Sequence, residues 1–359
     1  MSNNIKVGLV LSGGGALGAY QVGMMRALYE SDIEVHAISG ASIGALNGAI
    51  ISSASTLKEG TERLEKLWNL LASDSPLAVN KSVYLRLLLG VGLRFNYASQ
   101  LAPIVNLLKH TAMAYTHWLK FLPTDFLSEG LFSDQPLTTL MEQYLDLNLM
   151  QQGIPFYVSV FKSQGGIADL LSCVSAELNL SDTPHSEFIH IQSLPAAEQK
   201  EVLLASAALP LLFKPKNVGG NLYSDGGMGG WQTSQGNTPI QPLIDHGCNM
   251  VLVSHLCDGS LWSRHDFPQT TVIELRPYGS LSRNKGIAGS TKDLLGFTPQ
   301  NINSWIDQGY RDTKLSISRV MKPLLSRQAL RCSENILAES IQRNESVDSL
   351  LADAMKRIN

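Results

Sequence analysis

From Ile5 to Leu11 the chain reads IKVGLVL, a short β-rich apolar run that ends in a cluster of glycines. A buried parallel strand feeding a turn has this pattern. Ala19 to Tyr29 then carries Val22, Met25, Leu28 and Tyr29 at helical spacing. A second apolar run from Ile33 to Ser39 ends at Gly40, and Ile43 to Ser52 is again helical in pattern. This strand, turn, helix, strand, turn, helix order predicts the start of a doubly wound sheet. Thr56 to Leu71 alternates Leu64, Leu67, Leu70 and Leu71 with Glu62, Arg63, Glu65 and Lys66, which predicts an amphipathic helix covering one sheet face.

Further along, strands are expected at Pro155 to Phe161, Asp169 to Val174 and Phe188 to Ile191, the last carrying His190 close to the polar loop of His185. His36 is placed within the second strand. A helix from Glu198 to Leu209 stops at Pro210, and a short strand, Leu222 to Ser224, runs into Asp225-Gly226-Gly227. Met250 to His255 (MVLVSH) and Val272 to Leu275 are the last apolar runs. From about Asp293 the chain is polar and helical with periodic Ile and Leu, a C-terminal helical extension. The domain reading is a catalytic core over 5–256 with an insert at about 75–130, followed by the last strand and the extension over 257–359.

The insert differs in composition. From Ser75 to Thr124 there are five basic residues, Lys81, Arg86, Arg94, Lys109 and Lys120, and no acidic one, among many large apolar side chains. Two readings stand: a helical cap or lid on the core, or an interfacial element that meets anionic lipid. Over the whole chain, 44% hydrophobic and 16% charged residues describe a globular protein. Its formal charge of -3 gives no global case for nucleic acid binding. Cys173, Cys248, Cys257 and Cys332 are too scattered for a disulfide framework or a metal knuckle, which fits reduced thiols and a cytoplasmic protein. No ligand cluster has zinc spacing, so no metal or cofactor is expected.

Gly40-Ala41-Ser42-Ile43-Gly44 fits G-x-S-x-G and stands between a predicted strand and a predicted helix. The glycines allow a sharp turn that presents the Ser42 hydroxyl at the carboxyl edge of the sheet, at a helix N-terminus. Gly13-Gly14-Gly15-Ala16-Leu17-Gly18 is a second strand-to-helix turn. As a dinucleotide loop it would need an acidic residue ending the next strand, and that strand ends in Ser39-Gly40. As an oxyanion hole, its N–H groups approach a tetrahedral intermediate with no side chain in the way.

Ser42 needs a base, and two remain open on the residues alone. His255 closes the run MVLVSH, so Ser42, Asp225 and His255 stand in the order of an α/β-hydrolase triad. Asp225 could instead serve directly, with Gly226 and Gly227 leaving space around the carboxylate and burial raising its pKa. A non-catalytic sensor binding lipid or nucleotide at the glycine turn is the reading from another class.

Together these motifs resemble the patatin-like phospholipase family over roughly Lys6 to His255. The turn Gly13 to Gly18 with Ala19 is similar to the family's oxyanion motif, and Gly40 to Gly44 to its nucleophile elbow. Ala205-Ser206-Ala207-Ala208-Leu209-Pro210 with Phe213 and Pro215, then Asp225-Gly226-Gly227 and Asn237-Thr238-Pro239, follow in the family's order. The resemblance implies a three-layer α/β/α core with a mostly parallel sheet, similar to that of cytosolic phospholipase A2. It also implies a Ser42-Asp225 dyad without histidine, with N–H groups around Gly14, Gly15 and Ala16 holding the oxyanion. Phospholipid or a membrane surface is the implied substrate, at the inner membrane face, with room for an activating ligand or protein partner. Bacterial members often carry Lys or Arg where this chain has Leu17, which shifts head-group binding toward the basic insert.

Overall fold

The computed structural model describes residues 5–73, 135–177, 179–209, 213–256, 262–283, 293–294 and 296–358. The whole 75–130 insert, with His110 and His117, lies outside the described residues, and so does Cys257. In chain order the elements are β1 (Val7–Leu11), α1 (Ala19–Tyr29), β2 (Ala37–Gly40), α2 (Ile43–Ser52) and α3 (Leu57–Ser73). After the insert come α4 (Gln135–Tyr144), α5 (Leu147–Gln152), β3 (Phe156–Lys162), α6 (Gly166–Glu177) and β4 (Glu187–His190). They are followed by α7 (Ala196–Ser206), β5 (Lys216–Val218), β6 (Asn221–Asp225), α8 (Gln241–Asp245), β7 (Met250–Ser254) and β8 (Thr271–Leu275). The chain ends with α9 (Pro299–Ser316) and α10 (Lys322–Ile358).

The strands form one sheet in the order β5-β6-β3-β2-β1-β7-β8, with β4 also on β3. Neighbours from β3 to β8 along that order run parallel, whereas β4 and β6 pair antiparallel with β3 and β5 antiparallel with β6. The apolar runs bury both sides of the central strands. Val10, Ala37, Val251 and Val253 pack with Ile240 and Leu243 around α8 on one face. The alternate residues Leu9, Leu11, Ile38 and Leu252 are equally buried toward the other face, which α2 covers. This is the mixed α/β fold, a central sheet flanked by helices, that the alternation of strands and helices implied.

Register decides where the strands end relative to one another. Val158 pairs with Gly40 of β2 and with Ile189 of β4, so β2 and β4 lie on opposite edges of β3. Val160 pairs with Glu187 of β4 and with Asp225 of β6, so β6 lies opposite β4 as well. β2 and β6 therefore share one edge of β3, running toward each other, and their carboxyl ends meet two residues apart along it.

Two expectations are corrected. Asp169 to Val174 is not a strand but part of the helix α6. A six-residue apolar run has no decisive period. Here Asp169 in the first turn decides it: the carboxylate accepts the Gln164 N–H at 2.9 Å and the hydroxyls of Ser163 and Ser224, and an acid there suits the helix dipole. His36 lies just before β2, where its Nδ1 accepts the Val7 N–H at 3.3 Å. The edge strand β5, reading KNV, is polar enough to have left no signal.

Two compact units are distinguished, Met1–Thr313 and Lys314–Asn359. The second continues from the last residues of α9 through a π-helical turn, Ile317–Met321, into the 37-residue α10. Among the described residues no helix is long and apolar enough to cross a membrane.

Candidate active site

Ser42 follows β2 by two residues and adopts φ 53° and ψ -125°, one of four non-glycine residues with positive φ among the described residues. Strain of this kind persists only where the surroundings over-determine it. Close packing around the elbow supplies that constraint. A Cβ on Gly44 would lie 2.0 Å from the carbonyl oxygen of Leu11, so α2 starts directly on the end of β1. One on Gly40 would meet the Gly44 backbone. The Ala41 N–H donates to Leu11 O at 3.1 Å, and the Ser42 N–H donates to the Ser206 hydroxyl at 3.0 Å.

Ser206 is the last residue of α7 and fully buried. Its hydroxyl in turn donates to the carbonyl of Ser159 on β3 at 2.7 Å, and two residues on, the Ala208 carbonyl accepts the Asp225 N–H at 3.0 Å. One short segment thus holds the backbone at Ser42 and at Asp225. Asp225 ends β6 and is buried. Its Oδ1 accepts the Gly227 N–H at 2.8 Å, while Oδ2 meets no donor in hydrogen-bond geometry. Burial pushes the carboxyl up to about 6, offset in part by the nearby Ser42 hydroxyl and by the Gly227 N–H. Gly226 fits because a Cβ there would strike the Ser159 carbonyl at 2.1 Å.

The glycine turn lies beside the same serine: a Cβ on Gly13 would be 2.9 Å from the Ser42 Cβ. Gly13 itself donates its N–H to Asn237 Oδ1 at 3.1 Å. Among the described residues the N–H groups of Gly14, Gly15, Ala16 and Ile43 donate to no acceptor. Gly15 has φ 56° and begins the four-residue 3₁₀ turn Gly15–Gly18. Buried amides brace this turn. Gln21 donates to Ser12 O, Asn47 donates to Gly18 O and Gln21 Oε1, and Trp68 donates to Asn47 Oδ1. Ser12 and Thr238 share a hydrogen bond at 3.1 Å, and Ser39 donates to Pro239 O. The Asn237-Thr238-Pro239 segment therefore ties the first turn to the strand that carries the second.

His255 is placed elsewhere. It is buried, with Nε2 3.2 Å from Glu274 Oε2 of β8 and its ring 5.5 Å from that of Trp262. Burial lowers its pKa, and the contact with His255, helped by Arg276, takes Glu274 down to about 2. Asp225 has its contacts with Ser42 and Gly227, and none with His255 is present among the described residues. The sequence motifs thus converge except for the histidine. Ser159, Ser206 and Asn237 joined them without a role foreseen: a hydroxyl or amide among small residues carries no periodic signal, although Ser206 and Asn237 fall inside segments that the resemblance singled out.

A family profile described as Patatin-like phospholipase matches residues 9–244. Neuropathy target esterase sws of Drosophila melanogaster is 46% identical over 57 residues, 16% of this chain and 4% of that protein. The Drosophila persimilis protein of the same name is 44% identical over 57 residues. The match to these curated relatives thus spans only about 4% of their length. Among solved structures, VipD from Legionella pneumophila has 17% identity and a TM-score of 0.42, covering 89% of this chain and 68% of that one. ExoU, solved as a heterodimeric complex with SpcU from Pseudomonas aeruginosa, has 15% identity and a TM-score of 0.37, covering 89% and 52%. With the profile spanning the glycine turn, the elbow and the Asp225 turn, the chain belongs to the patatin-like phospholipase family, a family of lipid acyl hydrolases.

Proposed function

We propose that this protein hydrolyses acyl esters of glycerophospholipids through an acyl-Ser42 intermediate, with Asp225 as the base. The observation that carries the reading is the meeting of β2 and β6 on one edge of β3, which brings a strained, partly exposed serine to a buried carboxylate with one unsatisfied oxygen. A carboxyl near 6 is ionised at neutral pH yet basic enough to take a hydroxyl proton, which an ordinary aspartate does poorly.

Asp225 accepts the Ser42 proton as Oγ attacks the ester carbonyl. The oxyanion that forms is held by the N–H groups of Gly14, Gly15 and Ala16, with that of Ile43 at the start of α2 beside them. Gly13 and Gly18, whose backbones are tied to Asn237 and Asn47, hold the loop in shape. Collapse breaks the ester bond, and the proton on Asp225 passes to the departing alkoxide of the lysolipid. A water then gives its proton to Asp225 and attacks the acyl-serine, releasing the fatty acid and restoring Ser42. The substrate is reached at a membrane surface, the cytoplasmic face in this reading, and an activating ligand or protein partner fits a site that must exclude water until lipid arrives.

Lipid profiling of a total membrane extract after incubation with wild type and with Ser42→Ala tests this and reports substrate class. Wild type releases fatty acid and lysolipid and the variant does not; equal release by both would end the proposal. His255→Ala is expected to retain most activity per folded molecule. Loss matching that of Ser42→Ala would return the base to a triad.

A further inference from the structure

α10 carries an apolar stripe that is exposed over most of its length. Leu330, Ile336, Leu337, Ile341, Val347, Leu350, Leu351 and Met355 are each at least half exposed, Leu350 reaching 69%. Their spacing is regular. If Leu330 is position a of a seven-residue repeat, Leu337, Asn344 and Leu351 occupy the following a positions, and the d positions are Val347 and the small residues Ser333, Ser340 and Ala354. Ile336 and Leu350 fall at g, and Ile341 and Met355 at e. The b, c and f positions between Leu330 and Met355 hold only polar residues, Cys332 and alanines. Leucine at three of four a positions, with every large apolar side chain between Leu330 and Met355 on the a, d, e and g side, is a pattern that suits a helix packing along another helix.

We propose that α10 associates with α10 of a second copy of this chain as a parallel, in-register coiled coil. Two features of the stripe match themselves. In a parallel pair a g residue faces the e residue five positions on in the partner helix, and Arg343 at g is followed by Asp348 at e, so two opposite-charge contacts form across the twofold axis. The same rule sets Ile336 against Ile341 and Leu350 against Met355. Asn344, a polar residue at an otherwise leucine a position, meets its own counterpart only in the in-register parallel arrangement, the known use of an a-position asparagine. Charge also argues against anionic lipid as the occupant. Over the whole of α10 six basic residues, Lys322, Arg327, Arg331, Arg343, Lys356 and Arg357, are nearly balanced by five acidic ones, Glu334, Glu339, Glu345, Asp348 and Asp353. An interfacial helix bound to anionic lipid carries a clear basic excess, which this helix lacks. The stripe would then join two catalytic units without taking part in their chemistry.

Sedimentation of the full chain over a concentration series tests the proposal. Wild type is expected to show a mass above that of one chain, and Leu337→Lys with Leu351→Lys the mass of one chain, with the thermal unfolding of the rest unchanged. A monomeric wild type, or a double variant with undiminished mass, would overturn it. Orientation is read with Asn344→Cys in a Cys332→Ala background: oxidation is expected to link two chains through position 344, and the background alone is expected not to link. An oligomer that fails to cross-link there would rule out the in-register arrangement. Full-length binding to anionic vesicles that the two lysines abolish, in a chain that stays monomeric, would give the stripe to the membrane instead.

Discussion

Asp169 and Asp225 are both buried, and they lie near each other, yet their surroundings differ. Asp169 receives the Gln164 N–H on one oxygen and the Ser163 and Ser224 hydroxyls on the other. Asp225 has the Gly227 N–H on Oδ1, and its Oδ2 is left without an aligned donor beside Ser42. A carboxylate enclosed by donors has both oxygens engaged and none free to accept another proton donor. One that is desolvated and undersupplied keeps a raised proton affinity, and that affinity is available to a neighbouring hydroxyl. The pair shows how the same residue type becomes a structural brace in one turn and a candidate base in the next.

The sharpest way to break this contrast is Asp225→Asn. Fatty-acid release is expected to fall about 10²- to 10⁴-fold, the range of a general base, while the protein becomes more stable. The sign follows from the raised pKa. Between the unfolded carboxylate value of 3.8 and the folded value of about 6, the folded state keeps a proton that the unfolded state has lost, so ionisation weakens the fold as pH rises. The cost is complete above pH 6, where a shift of about two units corresponds to roughly 3 kcal/mol. Urea titrations at pH 7.5 and pH 4 should therefore show the stabilisation by Asn at the higher pH and little at the lower. Activity retained in the variant, or destabilisation at both values, would count against Asp225 as a desolvated base.

Asp169→Ala should do the reverse. It strands three donors around α6, and about 2 to 4 kcal/mol of stability is expected to go, with turnover per folded molecule changed far less than by Asp225→Asn. Denaturant midpoint and active-site titration separate the two. Ser206→Ala removes the acceptor of the Ser42 N–H and the donor to Ser159. The expected loss is about tenfold in kcat with KM nearly unchanged, since roughly 1 to 2 kcal/mol of hydrogen bonding positions the nucleophile and touches no substrate. A rise in KM alone would show that Ser206 does something else. The smallest effect is in wild type itself: kcat/KM should decline below about pH 6 with the uptake of one proton, as Asp225 titrates.

The elbow was legible in the sequence because glycines record close approach: Gly40 and Gly44 are required by backbone contacts that no side chain tolerates. Strands such as β1 and β7 were legible for a different reason, as apolar runs buried on both faces. Asp169 to Val174 misled because six apolar-rich residues fit either period, and only a tertiary contact, the serines around Asp169, settles it. The choice between Asp225 and His255 could not be made from spacing. It depends on which strands share an edge of β3, and that is long-range register. Ser206 was quoted within a motif, but nothing in a run of alanines and leucines says that one hydroxyl spans two strands.

That register makes β3 a ruler. Because the ends of β2 and β6 abut along the same edge of it, the interval from Val158 to Val160 sets the gap between Ser42 and Asp225, the proposed nucleophile and base. Loops elsewhere can lengthen at little cost, but a single residue added or lost inside that interval would move one reactive group along the strand by about 3.3 Å and turn its neighbours to the other face. The loops around this site can change length far more freely than this three-residue interval can.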